Sequence, residues 1–371
     1  MARKRKTRVK SGDFVLTILV LILVVFGVIM VFSSSYYSAI NDTGDPYSYL
    51  KKDIIWAVLG LGAMLFCAMF DYRIYAKAAP AILVISLVLL ALLFTPLGVD
   101  RNGAVRWIGV GDFTVMPGEI AKIAAIIFVA WYLSKDPKII KAFTRGVLPL
   151  LGLIGLYFGL IILQPNLSTA ITVSGIIIGM MFVAGLNTIY LGGIVALGAV
   201  GITFMILTDS DGYRLKRLTS FLDPFQDPLG DGYQVIQSLL ALGSGGIFGV
   251  GLGKSIQKTL YLPEPQNDFI FAIIGEELGY VGCLLLIACY IILIWRGTHI
   301  ALNAPDMFGT LLAAGITIML AIQVVLNIAV VTSSMPPTGI TLPFVSYGGN
   351  ALMLFMGSMG ILLNISRHSA K

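Results

Sequence analysis

Charge is what this sequence has least of. Asp, Glu, Lys and Arg make up 12% of its 371 residues, where a soluble domain carries about a quarter. Such a chain has no surface for water, and no stretch is left over to build a separate soluble core. Cysteine is equally sparse. Cys67, Cys283 and Cys289 all fall inside apolar runs and read as small hydrophobes, which argues against a disulfide framework and a metal cluster. His299 and His368 are the only histidines, each beside the end of an apolar run, so a histidine-based metal site or proton relay is not expected. What fills the sequence is hydrophobic residues, 57% of the total, with a mean hydropathy of +0.92. The net charge of +6 does not point to nucleic acid, because most of the basic residues flank apolar runs.

A membrane-spanning helix needs about 20 apolar residues. Runs that meet or approach this length lie at about 14–32, 53–70, 74–94, 117–133, 146–163, 167–185, 188–207, 268–295, 307–332 and 343–365. The expected fold is all-α: a polytopic membrane protein of ten transmembrane helices, with a large extracytoplasmic loop, 208–267, between spans seven and eight. Residues 1–13 carry six basic residues and read as a cytoplasmic N-terminus rather than part of a cleaved signal, since the run after them is long for a signal and no clean cleavage site follows. Residues 14–366 form one membrane domain and 367–371 a cytoplasmic C-terminus. Lys and Arg concentrate on cytoplasmic loops. With an inner N-terminus, fifteen of them fall on inner segments and four on the short outer ones, which supports that orientation.

The stretch Tyr261–Gly282, YLPEPQNDFIFAIIGEELGYVG, places Asp268 just ahead of span eight and Glu276 and Glu277 about two turns into it. An acid at the mouth of a membrane segment is costly to bury and reads first as functional. Asp is also a good helix N-cap, and the two roles are compatible. RNGAVRWIGVGDFTVMPGEIAKIA, 101–124, sets Arg106 and Trp107 in an outer loop. It also sets Glu119 and Lys122 three residues apart on one face of span four, where they can pair. That pair either locks helix packing or offers Lys122 to an anionic ligand. Gln164-Pro165-Asn166 needs no more than a polar turn between two spans. The glycine-rich run 243–253 ends in Gly-Lys-Ser but has Phe248 where a phosphate-binding loop needs glycine. Its small residues instead suit tight turns or close approach to a ligand. In the same loop, Ile236, Leu239, Leu240 and Phe248 are expected to pack on the membrane face. In MPPTGITLPFVSYGGN, 335–350, Pro336, Pro337 and Pro343 interrupt regular structure ahead of Ser346, Tyr347 and Gly348. Irregular backbone at membrane depth survives only where it is buried in protein or lines a wet cavity.

The segments RWIGVG, PGEIAK, QPNLSTA, GYQVIQSLLALGSGG, YLPEPQNDFIFAIIGEELG and PPTGITLPFVSYGG together resemble the SEDS family of bacteria (shape, elongation, division and sporulation). The resemblance runs nearly end to end, and GLGKSIQKTLYLPEPQNDFIFA is closer to the FtsW and SpoVE types than to RodA. It implies a peptidoglycan glycosyltransferase that polymerises lipid II at the outer face of the bacterial cytoplasmic membrane. It also implies a class B penicillin-binding protein as partner, alongside other division or elongation membrane proteins. The family's essential acid falls on Asp268, its intramembrane pair on Glu119 and Lys122, and its outer arginine on Arg106. The chain departs from the family at Asn166, where an acid is usual, at Gly118, where serine is usual, and at Asn350 and Ala351.

Lipid II polymerisation inverts configuration at the sugar, so one displacement suffices. The resemblance implies Asp268 as general base on the acceptor hydroxyl. Arg106 and Lys122 would then meet the departing pyrophosphate, with Trp107, Glu119, Gln164, Ser346, Tyr347 and Gly348 lining the substrate. A divalent cation, Mg or Mn, is compatible with that leaving group. Two rivals stand beside this reading: a lipid II flippase or transporter, and a non-catalytic scaffold for a transpeptidase. The crowding of reactive groups on the outer side, with no matching inner set, speaks against the flippase, and the family resemblance ranks the polymerase above both.

Overall fold

The structure is a computed structural model that describes residues 12–101, 104–110, 113–208, 213–230 and 232–369. With no water to bond backbone groups in lipid, an apolar run must have its backbone hydrogen bonds met within the protein, most simply as helix, and each run named above is mainly helical. In chain order these are α1 (Phe14–Thr43), α2 (Ser48–Met69), α3 (Arg73–Leu92), α4 (Pro117–Lys135), α5 (Leu148–Ile162), α6 (Leu167–Val183) and α7 (Thr188–Leu207). Two further helices, α8 (Tyr213–Leu222) and α9 (Tyr233–Ser244), fold within the long connecting segment. The chain closes with α10 (Ile270–Leu302), α11 (Met307–Val331) and α12 (Gly349–His368). Among the described residues, eight helices are long and apolar enough to cross a membrane, while α6 and the described part of α7 are shorter apolar helices.

The helices α4, α11 and α12 are the most enclosed. α12 packs along α2, and α11 packs on α4, α6 and α10. By contrast, α7 buries none of its described side chains, as expected of a helix facing lipid. At one end of the bundle, polar bonds tie the helices together. Arg296 pairs with Asp13, Tyr72 donates to Asp306 at 2.5 Å, and Asn364 bonds the amide of Tyr72 and the carbonyl of Ala68. The opposite end carries the irregular segments that the sequence singled out.

Three features differ from the sequence reading. α1 does not stop near residue 32 but continues to Thr43, closed by Gly44 in the left-handed region (φ 72°), because Ser33, Ser34 and Ser35 are buried against the bundle. The outer loop after α3 is a small antiparallel sheet, β1 (Gly98–Arg101), β2 (Ala104–Val110) and β3 (Phe113–Val115), in that order. Trp107 lies opposite Val99, and Ile108 opposite Gly98 and Val115. Lastly, Ile236 does not face the membrane with Leu239, Leu240 and Phe248. Ile236 is buried because α9 docks on α10 and α11, where Ser238 donates to the Val331 carbonyl at 2.8 Å; Leu240 and Phe248 are exposed.

Candidate active site

Asp268 lies in a turn just before α10. Helix geometry begins beyond it: Phe269 is the N-cap residue and makes no side-chain cap bond, so Asp268 is not the cap. Its backbone carbonyl accepts from Asn327 Nδ2 of α11 at 2.8 Å, and the same amide group donates to the Ile340 carbonyl at 2.7 Å. One Asp268 carboxylate oxygen sits against Gly339, where an added Cβ would lie 3.3 Å from it. Asn327 is 1% exposed. A buried amide that spans two irregular segments fixes them to each other, because leaving it unbonded there costs about 1–3 kcal/mol.

The Pro–Gly segment closes over this turn. The Tyr347 amide donates to the Gln266 carbonyl at 2.9 Å, and the Tyr347 ring meets Tyr49 of α2 edge-on at 5.0 Å. Ser346 Oγ accepts from the Leu342 amide at 2.8 Å, and Gly348 is the N-cap residue of α12. One residue into α12, Asn350 donates to the Thr114 carbonyl of β3 at 2.7 Å, which joins the sheet to the same end. Arg106, half-buried on β2, donates to the Pro165 carbonyl at 2.5 Å. Gln164 donates to the Leu90 carbonyl at 3.3 Å. Asn166 caps α6 by accepting from the Thr169 amide at 3.2 Å. Asn and Asp are equivalent in that role, so an amide serves as well as an acid at this position. Lys122 and Glu119 form a buried pair at 2.7 Å, with the Lys122 ammonium 5.8 Å from the Phe355 ring centre. The structure thus sets Asp268 against Gly339 and bonds Tyr347 to Gln266, two residues before it. It holds Arg106 and Gln164 at the α5–α6 turn, and Glu119–Lys122 against α12.

The glycine-rich run serves a purpose the sequence did not reveal. α10 is broken at Gly279, whose φ is 69° and ψ −167°. Segment 246–251 fills the break: the amides of Val250 and Gly251 donate to the Glu276 and Glu277 carbonyls at 2.9 and 3.0 Å, and those of Tyr280 and Val281 donate to Gly246 and Ile247 at 2.9 and 3.1 Å. A Cβ on Gly249 would overlap the Glu277 carbonyl. The close approach that the glycines allow is therefore to the backbone of α10.

Glu276 and Glu277 are buried, 1% and 0% exposed. Glu276 accepts from Ser255 Oγ and from the amides of Ile256 at 2.9 Å and Gln257 at 3.4 Å. Glu277 pairs with Lys258 at 2.8 Å and accepts from Ser33 of α1 at 2.8 Å. Lys258 also donates to Ser33 at 3.0 Å. Among the described residues no group of three or more His, Cys, Asp or Glu side chains is placed to hold a metal ion.

The sequence profile of the cell cycle protein family that unites FtsW, RodA and SpoVE matches residues 14–371. The chain belongs to this family. It is 46% identical over 365 residues to stage V sporulation protein E of Bacillus subtilis strain 168, covering 98% of this chain and 99% of that one. It is 40% identical over 365 residues to a probable peptidoglycan glycosyltransferase FtsW of Trichlorobacter lovleyi, covering 98% and 95%. Among solved structures, one described as coordinating polymerization and crosslinking in a peptidoglycan synthase complex superposes with a TM-score of 0.80 at 30% identity, over 96% of this chain and 98% of that one. The rod shape determining protein RodA of Thermus thermophilus superposes with a TM-score of 0.72 at 28% identity, over 97% and 98%. The identities to SpoVE and FtsW exceed that to RodA, in line with the resemblance read from GLGKSIQKTLYLPEPQNDFIFA.

Four residues of this SEDS-family site escaped the sequence reading: Ser33, Ser255, Lys258 and Asn327. The available signal was a polar residue inside or beside an apolar run, since a lone amide or cation there needs a partner. Asp53 was missed as well. It is 2% exposed on α2, and its Oδ1 has no hydrogen-bond partner.

Proposed function

We propose that this chain is a peptidoglycan glycosyltransferase that polymerises lipid II at the outer face of the cytoplasmic membrane, with ten spans, both termini inside, and a class B penicillin-binding protein as partner. The observation that carries this reading is Asp268. It is an acid at the head of α10, with Asn327 on its carbonyl, Gly339 against its carboxylate and Tyr347 closing over its turn, in a chain of a family whose relatives carry that enzymatic name.

In the proposed reaction, the 4-hydroxyl of the acceptor sugar attacks the anomeric carbon of the lipid-linked donor. Asp268 accepts the hydroxyl proton as the new β-glycosidic bond forms. The bond from the anomeric carbon to the phosphate oxygen breaks, and its electron pair leaves with undecaprenyl pyrophosphate. One inversion accounts for the product without a covalent enzyme intermediate. Arg106 is the more accessible cation for the leaving group, and its planar fork suits phosphate oxygens. Lys122 meets that charge by exchanging Glu119 for a phosphate oxygen. Trp107, Gln164, Ser346, Tyr347 and Gly348 form the surrounding wall.

The test is glycan-chain formation from lipid II by purified protein with its penicillin-binding partner. Asp268→Ala is expected to lower kcat by at least about a hundredfold, the order general base catalysis contributes. Retained polymerisation would remove Asp268 from the chemistry. Chain formation from lipid II already on the accessible face separates a polymerase from a flippase.

A further inference from the structure

The segment that carries Asp268 is a loop closed at its base. It leaves the bundle at Ser255, passes through Asp268, and returns down the first two turns of α10 to Glu276 and Glu277. There the acids grip the departing strand: Ser255 bonds Glu276, the Ile256 and Gln257 amides point at the same carboxylate, and Lys258 pairs with Glu277. Ser33 of α1, 244 residues before Glu277 and 225 before Lys258, joins both. All five side chains of the cluster are less than a tenth exposed.

Between base and tip the backbone is strained. Leu260 has φ 71° and Glu264 φ 49°, left-handed conformations that side chains other than glycine rarely adopt. Such conformations persist only where the surroundings over-determine them. Here the surroundings act from two sides: the acid–lysine cluster below, and Asn327 and the Tyr347 amide at the tip. The Leu262 amide, bonded to the Gln257 carbonyl at 2.9 Å, ties the strained stretch directly to the base.

We infer that Lys258, Glu277, Glu276 and Ser33 form a positioning latch that sets the height and orientation of Asp268 for catalysis. The inference rests on the reading of Asp268 as general base. The latch residues touch no reacting atom. They act by holding the loop so that the carboxylate meets the acceptor hydroxyl, and a misplacement of about 1 Å is enough to cost on the order of a hundredfold in rate. The charge pattern carries a further consequence. Removing Lys258 alone leaves Glu277 buried without its cation, which is worse than removing both charges together.

The experiment uses the full chain with its penicillin-binding partner, lipid II as substrate, and hydrogen–deuterium exchange on the same preparations. Lys258→Met is expected to lower kcat roughly ten- to a hundredfold while the KM for lipid II stays within about threefold, as for a residue outside the binding surface. Exchange is expected to rise in 255–268 and to stay unchanged in α4 and α12. Lys258→Met combined with Glu277→Gln is expected to recover part of the lost rate. Ser33→Ala removes bonds without stranding a charge, and serves if Lys258→Met fails to fold; it is expected to lower kcat by a few-fold with the same local exchange. Wild-type kcat in folded Lys258→Met and Ser33→Ala, or exchange rising throughout the bundle, overturns the latch. Asp268→Ala, measured beside them, separates the two claims. If it is inactive while the latch variants behave as wild type, only the latch falls; if it polymerises normally, the base assignment falls and the latch with it.

Discussion

Single polar residues do more in this protein than their number suggests. Asn327 holds two irregular segments with one amide, and Asn166 caps α6. Asp306 does similar work at the opposite end of the bundle. Burial pushes its carboxyl up, but hydrogen bonds from Tyr72, the Gly309 amide and Arg73 outweigh that and hold it below its ordinary value of 3.8. A depressed acid stabilises the fold above its unfolded value and loses that contribution as pH falls through the folded one. Asp306→Asn is therefore expected to lower the thermal midpoint at pH 6–7, with the gap from wild type narrowing as the pH falls below the ordinary value of 3.8. A gap independent of pH across that window would show that charge is not what Asp306 contributes.

At the scale of elements, the decisive feature is the break in α10. A helix interrupted in lipid must have its freed backbone groups bonded by something else, and segment 246–251 does this with four amide–carbonyl bonds. Two glycines make the fit possible. Gly279 adopts a backbone conformation that is essentially glycine-only, and Gly249 lies against the Glu277 carbonyl. Gly279→Ala is expected to cost at least about 1–3 kcal/mol in backbone strain alone and to reduce the folded yield sharply on size exclusion. Gly152→Ala, in the middle of α5 with open space around its Cα, is the matched control and is expected to fold normally. Equal yields for the two would mean the break tolerates a side chain.

At the scale of the whole molecule, the two ends are built differently. One is closed by short turns and side-chain locks such as Arg296–Asp13 and Tyr72–Asp306. The other holds the sheet, the Asp268 loop and the Pro–Gly segment. In the orientation proposed above, which follows the lysine and arginine bias, the first faces the cytoplasm. A cysteine introduced at Asp45, between α1 and α2, is then expected to react with an impermeant thiol reagent in intact cells, and one at Lys138, between α4 and α5, only after permeabilisation. The reverse pattern would invert the molecule and remove Asp268 from the outer face.

The sequence alone determined the all-α membrane class and the apolar segments that become its helices, and it singled out the Asp268 stretch. Each rests on local composition: apolar length, flanking charge, and an acid where an acid is costly. Only the tertiary structure decided what Glu276, Glu277 and the glycine run do. Their partners, Ser33 on α1 and the inserted backbone of 246–251, lie far off in sequence or touch through backbone atoms that no side-chain pattern announces. The little sheet after α3 and the extension of α1 through three buried serines were decided the same way, by the neighbours that folding brings alongside.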